Sequence, residues 1–258
     1  MKPTTVQTSF LPLRFFLGLL IVGQSLGSLI AAGKPAKSDA PDDTALLATA
    51  PGKKFIYKHS AGVPRELEVY YPAEWDATKR KVPGLILFHG GNWTGGDLDQ
   101  FRRACQYFAT RGLVAATVNY RMIPKSDVPK QPAGESHKRF CITDAKSAIR
   151  WMKQHANELG IDPQRIIIGG GSAGGHTSAL ATLTPGLNDP ADPKEFDTNV
   201  AAYLLFNPAF NPADRSDPQV DVQSFLTAKL PPGIFFYGDQ DRPWSAYGDI
   251  VRAQLKKL

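Results

Sequence analysis

The residues with the most chemical content run from Gly169 to His176, GGGSAGGH. Within them, Gly170-Gly171-Ser172-Ala173-Gly174 forms a G-x-S-x-G pentad between an apolar strand-like run (Arg165–Ile168) and a helix-like run (Ala173–Leu183). A serine on such a strand-to-helix turn is pushed out of the sheet with its hydroxyl exposed, and small neighbours are needed because the backbone crowds it. Ser172 is therefore a candidate nucleophile. The Ala173 N–H, at a helix N-terminus, is a candidate donor to negative charge developing beside it. A glycine-rich phosphate loop would place Lys-Ser/Thr after its glycines, whereas His176-Thr177 follow here.

Two more strings could serve the same chemistry. Phe88-His89-Gly90-Gly91-Asn92-Trp93 follows a buried-strand pattern, and its paired glycines let the chain turn so that several backbone N–H groups face one point. That is the requirement of an oxyanion hole. Further on, Phe236-Tyr237-Gly238-Asp239-Gln240-Asp241 ends another apolar run. A carboxylate there can orient an imidazole and stabilise its protonated form. Asp241 is the first choice and Asp239 the second.

These strings need elements to hold them. Two β-like runs, Lys53–Lys58 and Arg65–Tyr71, flank a turn at Ala61-Gly62-Val63-Pro64. Continuous apolar runs follow at Gly84–Phe88, Leu113–Val118, Arg165–Ile168, Val200–Phe206 and Ile234–Tyr237, as expected for strands buried on both faces. Helical spacing occupies Gln100–Arg111, Thr143–Leu159 (capped by Thr143 or Asp144), Ala173–Leu183 and Trp244 onward. The alternation predicts an α/β fold with a mostly parallel, doubly wound sheet and an antiparallel pair at its start. The Pro-, Asp- and Lys-rich stretches Pro124–Phe140 and Asn207–Ser224 are expected to border the substrate crevice, which in open α/β sheets lies beyond the carboxyl ends of the strands.

The 258 residues, 42% of them hydrophobic, suffice for one domain with a sizeable core. A net charge of +6 is spread along the chain without a dense basic run, which argues against a nucleic-acid partner. Residues 1–32 read as a signal peptide: Lys2 and Arg14, then the apolar run Phe15–Val22, then Ala31 and Ala32 at a cleavage site. Glycines and polar residues from Gly23 to Ser28 make a stable membrane span after cleavage unexpected. Residues 33–52 read as a flexible linker and 53–258 as the catalytic domain. Export to the periplasm or medium would allow Cys105 and Cys141 to form a disulfide. Two cysteines so spaced do not suggest a metal site.

Taken together, LILFHGGNW, VNYR (Val118–Arg121), DAKSAIRW (Asp144–Trp151), GIDPQRIIIGGGSAGGH (Gly160–His176) and FYGDQD resemble the α/β-hydrolase esterases and lipases with an HGG-type oxyanion loop. These include hormone-sensitive-lipase-like and acetyl-esterase-like enzymes. The resemblance implies an α/β-hydrolase fold, no cofactor and a Ser-Asp-His triad. It makes Ser172 the nucleophile, Asp241 the acid, and Gly91, Asn92 and Ala173 the oxyanion donors. HGGNW in place of HGGG is more similar to secreted carbohydrate esterases and kynurenine-formamidase-like enzymes. The activity so implied is hydrolysis of short acyl esters, acetyl above all, of small molecules or carbohydrates. Amide hydrolysis of the formamidase or peptidase kind, or an inactive hydrolase-fold binding protein, are the alternatives.

One part of the pattern is missing. The family's histidine follows the acid after one more strand, whereas the five histidines here are His59, His89, His137, His155 and His176. His137, in a loop near the presumed crevice, is a weak substitute. The last strand and helix of the fold are absent from the pattern, so the chain reads as C-terminally truncated with little activity of its own, either a fragment of a longer enzyme, which the bare final helix favours, or a truncated paralogue.

Overall fold

The computed structural model describes residues 51–130, 132–238 and 240–258. The expected signal peptide, all but two residues of the linker, and Asp239 lie outside the described residues.

The strands are β1 (Lys53–Ser60), β2 (Val63–Tyr70), β3 (Val82–Phe88), β4 (Val114–Val118), β5 (Ile161–Gly171), β6 (Ala202–Phe206) and β7 (Gly233–Phe236). They form a sheet in the order β1-β2-β4-β3-β5-β6-β7, antiparallel at β1–β2 and β2–β4 and parallel elsewhere. This is the mostly parallel α/β sheet with an antiparallel start expected from the alternating pattern, and it fits the α/β-hydrolase fold that the resemblance implied. The β1–β2 turn is tighter than expected. Ala61 and Gly62 alone make it, both at positive φ (52° and 75°), the two-residue geometry that matches strand twist. Val63 and Pro64 already belong to β2.

The helices are α1 (Asp99–Thr110), α2 (Lys138–Gln154), the single turn α3 (Ala156–Leu159), α4 (Ala173–Leu183) and α5 (Trp244–Leu255). α2 begins five residues before the expected Thr143 cap. Thr143 is interior, its hydroxyl donating to the Arg139 carbonyl at 2.9 Å, the i−4 bond of a mid-helix threonine. The segment also breaks at His155 before closing at Gly160 in the left-handed conformation (φ 71°). Among the described residues no helix is long and apolar enough to cross a membrane.

Strand order decides which face each helix covers. The chain steps from β3 to β4 in one direction and from β4 past β3 to β5 in the other. With right-handed crossovers, that reversal puts α1 and α2 on opposite faces. The core divides accordingly. Leu85 and Leu87 pack with Phe101 and Cys105 of α1, while Ile86 and Phe88 pack with Cys141, Ile142 and Ile149 of α2. The expected disulfide is thereby overturned: Cys105 and Cys141 are both free and buried, with the sheet between them. Burial pushes both thiols up, and Cys141 Sγ donates to the Arg121 carbonyl at 3.1 Å.

A buried carboxylate ties the β1–β2 hairpin to α2. Asp144, fully buried, accepts from the Arg121 backbone N–H (2.8 Å), Arg121 Nη2 (3.0 Å) and Ser60 Oγ (3.1 Å), with Lys58 Nζ at 3.1 Å. Such a carboxylate is held in place by its partners, and removing it would leave cations uncompensated.

Candidate active site

The reversal of strand order lies between neighbouring β3 and β5, whose outgoing loops lead to α1 on one face and α4 on the other. Loops at the carboxyl ends of such a pair splay apart and leave a crevice. The G-x-S-x-G turn ends β5 and the HGGNW loop ends β3, so the topology brings the two strings to one point.

Ser172 sits between β5 and α4 at φ 50°, ψ −116°, a conformation that a non-glycine residue holds only where its surroundings impose it. Three backbone bonds impose it. Ser172 N–H donates to the Phe206 carbonyl (2.9 Å), and its carbonyl accepts from Ala209 (3.0 Å) and His176 (3.1 Å). Gly174 lets the helix start this close to β3, since a Cβ there would lie 2.0 Å from the Phe88 carbonyl oxygen. The Ser172 side chain is half-buried, and among the described residues it has no hydrogen-bond partner.

The HGGNW loop packs directly on this turn. A Cβ on Gly90 would be 3.3 Å from Ser172 Cβ. The Gly90 N–H donates to Gln100 Oε1, so it is already engaged. Gln100, on the first turn of α1, thus fixes the loop, and no motif marks it in the sequence. Next come three residues at positive φ, Gly91 (124°), Asn92 (55°) and Trp93 (59°), and the Gly91 carbonyl accepts from Thr94 and Gly95, both at 3.1 Å. Among the described residues the Gly91 and Asn92 N–H groups meet no acceptor, nor does that of Ala173, which as the first residue of α4 has none within the helix. Three free donors on two adjoining turns are what a developing oxyanion requires.

His89 belongs to the scaffold. Its ring is buried and stacks on Tyr120 at 4.5 Å, Nδ1 donates to the Gly90 carbonyl at 2.8 Å, and its own carbonyl accepts from the Tyr120 hydroxyl at 2.7 Å. Burial lowers its basicity.

Asp241 lies in the turn after β7. Asn207, itself at φ 43°, donates its N–H to the Phe236 carbonyl (2.7 Å) and accepts the Gly238 N–H on Oδ1 (2.9 Å), which fixes the start of that turn. Burial raises the Asp241 carboxyl. β6 separates β7 from β5, so the strand ends that lead into the Asp241 turn and the Ser172 turn are two strand spacings apart, ~10 Å.

None of the chain's own histidines bonds the Ser172 hydroxyl or the Asp241 carboxylate among the described residues. His59 lies in β1 opposite Pro64. His155 stacks on Trp151 at 4.1 Å, with Nδ1 on the Trp151 carbonyl. His176 is wholly buried and donates from Nε2 to the Val220 carbonyl at 2.8 Å. His137 precedes α2 with a buried, unpartnered Nε2, and burial, then the Lys138 charge, lower its basicity. The loops expected to border the crevice are joined here: Asp217 accepts from Ser136 N–H (2.8 Å), Arg139 Nε (2.8 Å) and Arg139 Nη2 (2.9 Å), and Lys138 pairs with Asp214.

Comparison with known proteins places the chain among esterase-like folds. The family model BD-FAE matches residues 67–211, from β2 through the loop after β6. The probable carboxylic ester hydrolase LipM of Mycobacterium tuberculosis is 37% identical over 149 residues, 56% of this chain and 32% of LipM. The match therefore spans about a third of that relative's length. Among solved structures, Thermogutta terrifontis esterase 2 phosphorylated by paraoxon is 34% identical with a TM-score of 0.72, covering 81% of this chain and 79% of that one. The same esterase with propionate bound gives 32% identity and a TM-score of 0.70, over 80% and 79%.

Proposed function

The chain belongs to the BD-FAE family of α/β-hydrolase esterases and lipases, and we propose that it hydrolyses carboxylic esters with Ser172 as the nucleophile. The observation that supports this most is the pairing of two turns. Ser172 is held at positive φ with its hydroxyl unengaged, and the unbonded N–H groups of Gly91, Asn92 and Ala173 lie on the same and the adjoining turn.

Ser172 Oγ attacks the ester carbonyl carbon while a base takes its proton. The carbonyl oxygen gains the charge and accepts from the three N–H groups, each such donor contributing ~3 kcal/mol in the transition state. Collapse breaks the bond to the alcohol, which leaves with that proton, and water then cleaves the acyl-serine by the same steps in reverse order. Asp241 is placed to orient a neutral imidazole acting as that base and to stabilise it once it has taken the proton. We assign the acyl group to the short range, acetyl above all; the related T. terrifontis esterase holds propionate. Carbohydrate esters met outside the cytoplasm are the natural substrates that fit the signal-peptide pattern of residues 1–32.

With no histidine on Ser172 among the described residues, the 258-residue chain should cleave p-nitrophenyl acetate slowly, on the scale of a triad that lacks a member, ~10³–10⁴-fold over water. Added imidazole should speed this turnover. Measured over a protein-free imidazole control, since imidazole itself cleaves this ester, both the basal and the rescued excess rates should be abolished by Ser172→Ala. If either persists at the parent level in Ser172→Ala, the proposed function is wrong. If the parent shows neither, the chain binds rather than hydrolyses.

A further inference from the structure

The oxyanion-loop segment runs straight into Trp93, whose side chain is only 6% exposed. The Lys138 ammonium lies over the indole, 3.7 Å from its centre, and pairs with Asp214. The other Asp214 oxygen is 3.2 Å from His176 Nε2, and the His176 ring meets Trp93 edge-on at 5.1 Å and 81°. Trp93, Lys138, Asp214 and His176 thus close a buried ring. It joins the loop after β3, the first turn of α2, the loop after β6 and the first turn of α4. His176 N–H in turn donates to the Ser172 carbonyl.

A lysine and an aspartate buried to this degree are costly, and an apolar filling of equal volume would often be as stable or more so. Their value is directional. Cation–ring attraction fixes the face of the indole, the carboxylate fixes the ammonium, and the imidazole fixes the indole edge. Burial alone would raise the Asp214 carboxyl, but the contacts of His176 and Lys138 outweigh it and hold it below the usual carboxylate range. Asn92 and Trp93 are consecutive non-glycine residues at positive φ, 55° and 59°. The bonds from Thr94 and Gly95 to the Gly91 carbonyl close the turn that contains both, and the Trp93 carbonyl accepts from Ile123 at 3.3 Å; the Trp93 side chain, gripped on two sides, ties that turn to the rest of the fold.

We infer that Lys138, Asp214 and His176 are positioning residues that hold Trp93, and through it the Gly91 and Asn92 N–H groups, in the orientation an oxyanion hole needs. They touch no reacting atom; they act through the indole. The catalytic half of this inference rests on the ester-hydrolase reading, and the structural half does not.

Two variants test it on the full chain. Lys138→Met with Asp214→Asn removes both charges and leaves neither buried unpaired, while Trp93→Leu removes the ring and keeps the ion pair. In each, hydrogen exchange of the Thr94 and Gly95 amides, which donate to the Gly91 carbonyl, should speed up by about tenfold or more as a desolvated cation–ring contact is lost. Exchange at Leu85–Phe88 in β3 should be unchanged. Lys138→Arg keeps a cation over the ring and should restore the slow exchange. The rate of Ser172 phosphonylation by a fluorophosphonate should fall in the first two variants and recover in the third. Unchanged Thr94 and Gly95 exchange in both folded variants overturns the inference. If Ser172 of the parent resists labelling, the ester-hydrolase reading fails, and the exchange comparison still decides whether the ring holds the loop.

Discussion

Gly91→Ala separates the oxyanion-loop account from a merely structural one. Gly91 sits at φ +124°, outside the range L-residues favour, and a Cβ there would lie 2.0 Å from the Gly95 carbonyl oxygen and 2.6 Å from its carbon. Real Cβ atoms stay at least 3.0 Å from such neighbours, so the turn closed by the Gly91 carbonyl must shift by roughly 1 Å. A displacement of that size at a reacting centre costs on the order of 10²-fold, and loss of one oxyanion donor costs about 10²–10³-fold in turnover. Strain of about 1–3 kcal/mol in an exposed loop should lower Tm by about 2–12 °C at this chain size, which leaves the fold intact at the assay temperature. The assay is the second-order rate constant for fluorophosphonate reaction at Ser172, normalised to the parent, with circular dichroism to confirm the fold. Gly95→Ala is the matched control, since a Cβ there meets nothing within 4 Å, and it should react within about twofold of the parent if only the N–H geometry counts. A folded Gly91→Ala that labels as fast as Gly95→Ala would refute the assignment of Gly91 and Asn92 as donors.

The remaining predictions concern the fold around the site. Alkylation of the denatured protein after mild oxidation should find two free thiols, because the sheet separates Cys105 from Cys141; an intramolecular disulfide would refute the strand order. Asp144→Leu should lose about 3–5 kcal/mol for a broken buried ion pair, a Tm fall of about 6–20 °C at this chain size; a fall under ~3 °C would mean the carboxylate is not structural. Lys146 is fully buried with Nζ donating to the Thr184 carbonyl at 2.7 Å, and burial, then the Arg150 charge, pushes its pKa down to about 8. The unfolded lysine titrates near 10.4, so between about pH 8 and 10.4 the unfolded chain binds more protons and this group's contribution to stability rises with pH. Chemical denaturation of Lys146→Met should then show its largest advantage over the parent below pH 8, shrinking as pH rises; a pH-independent difference would refute the depressed pKa.

The helices α1 and α4 and the parallel strands were legible because their apolar periods are complete within each segment. Phe101 and Cys105 mark one face of α1, and GLILF marks a strand buried on both sides. The start of α2 was not legible, since residues 136–139 owe their conformation to Asp217 and Asp214, some 80 residues later, rather than to a local cap. The disulfide expectation failed for a related reason. Helical spacing shows which side of α1 carries Cys105 but not which face of the sheet α1 covers, and that depends on the step from β4 back past β3. Ser172 and the HGGNW loop were visible as strings because glycine is required wherever backbone meets backbone. Gln100, Lys138 and Asp214 were invisible, being ordinary polar residues whose roles arise only from long-range packing.

The central claim is that Ser172 is the nucleophile of an ester-hydrolase site, and fluorophosphonate labelling of the full chain tests it most directly. After exhaustive reaction, intact-mass analysis and peptide mapping should show a single adduct on Ser172, formed slowly without added imidazole and faster with it, and none in Ser172→Ala. An adduct on another residue, or equal labelling of Ser172→Ala, would contradict the account.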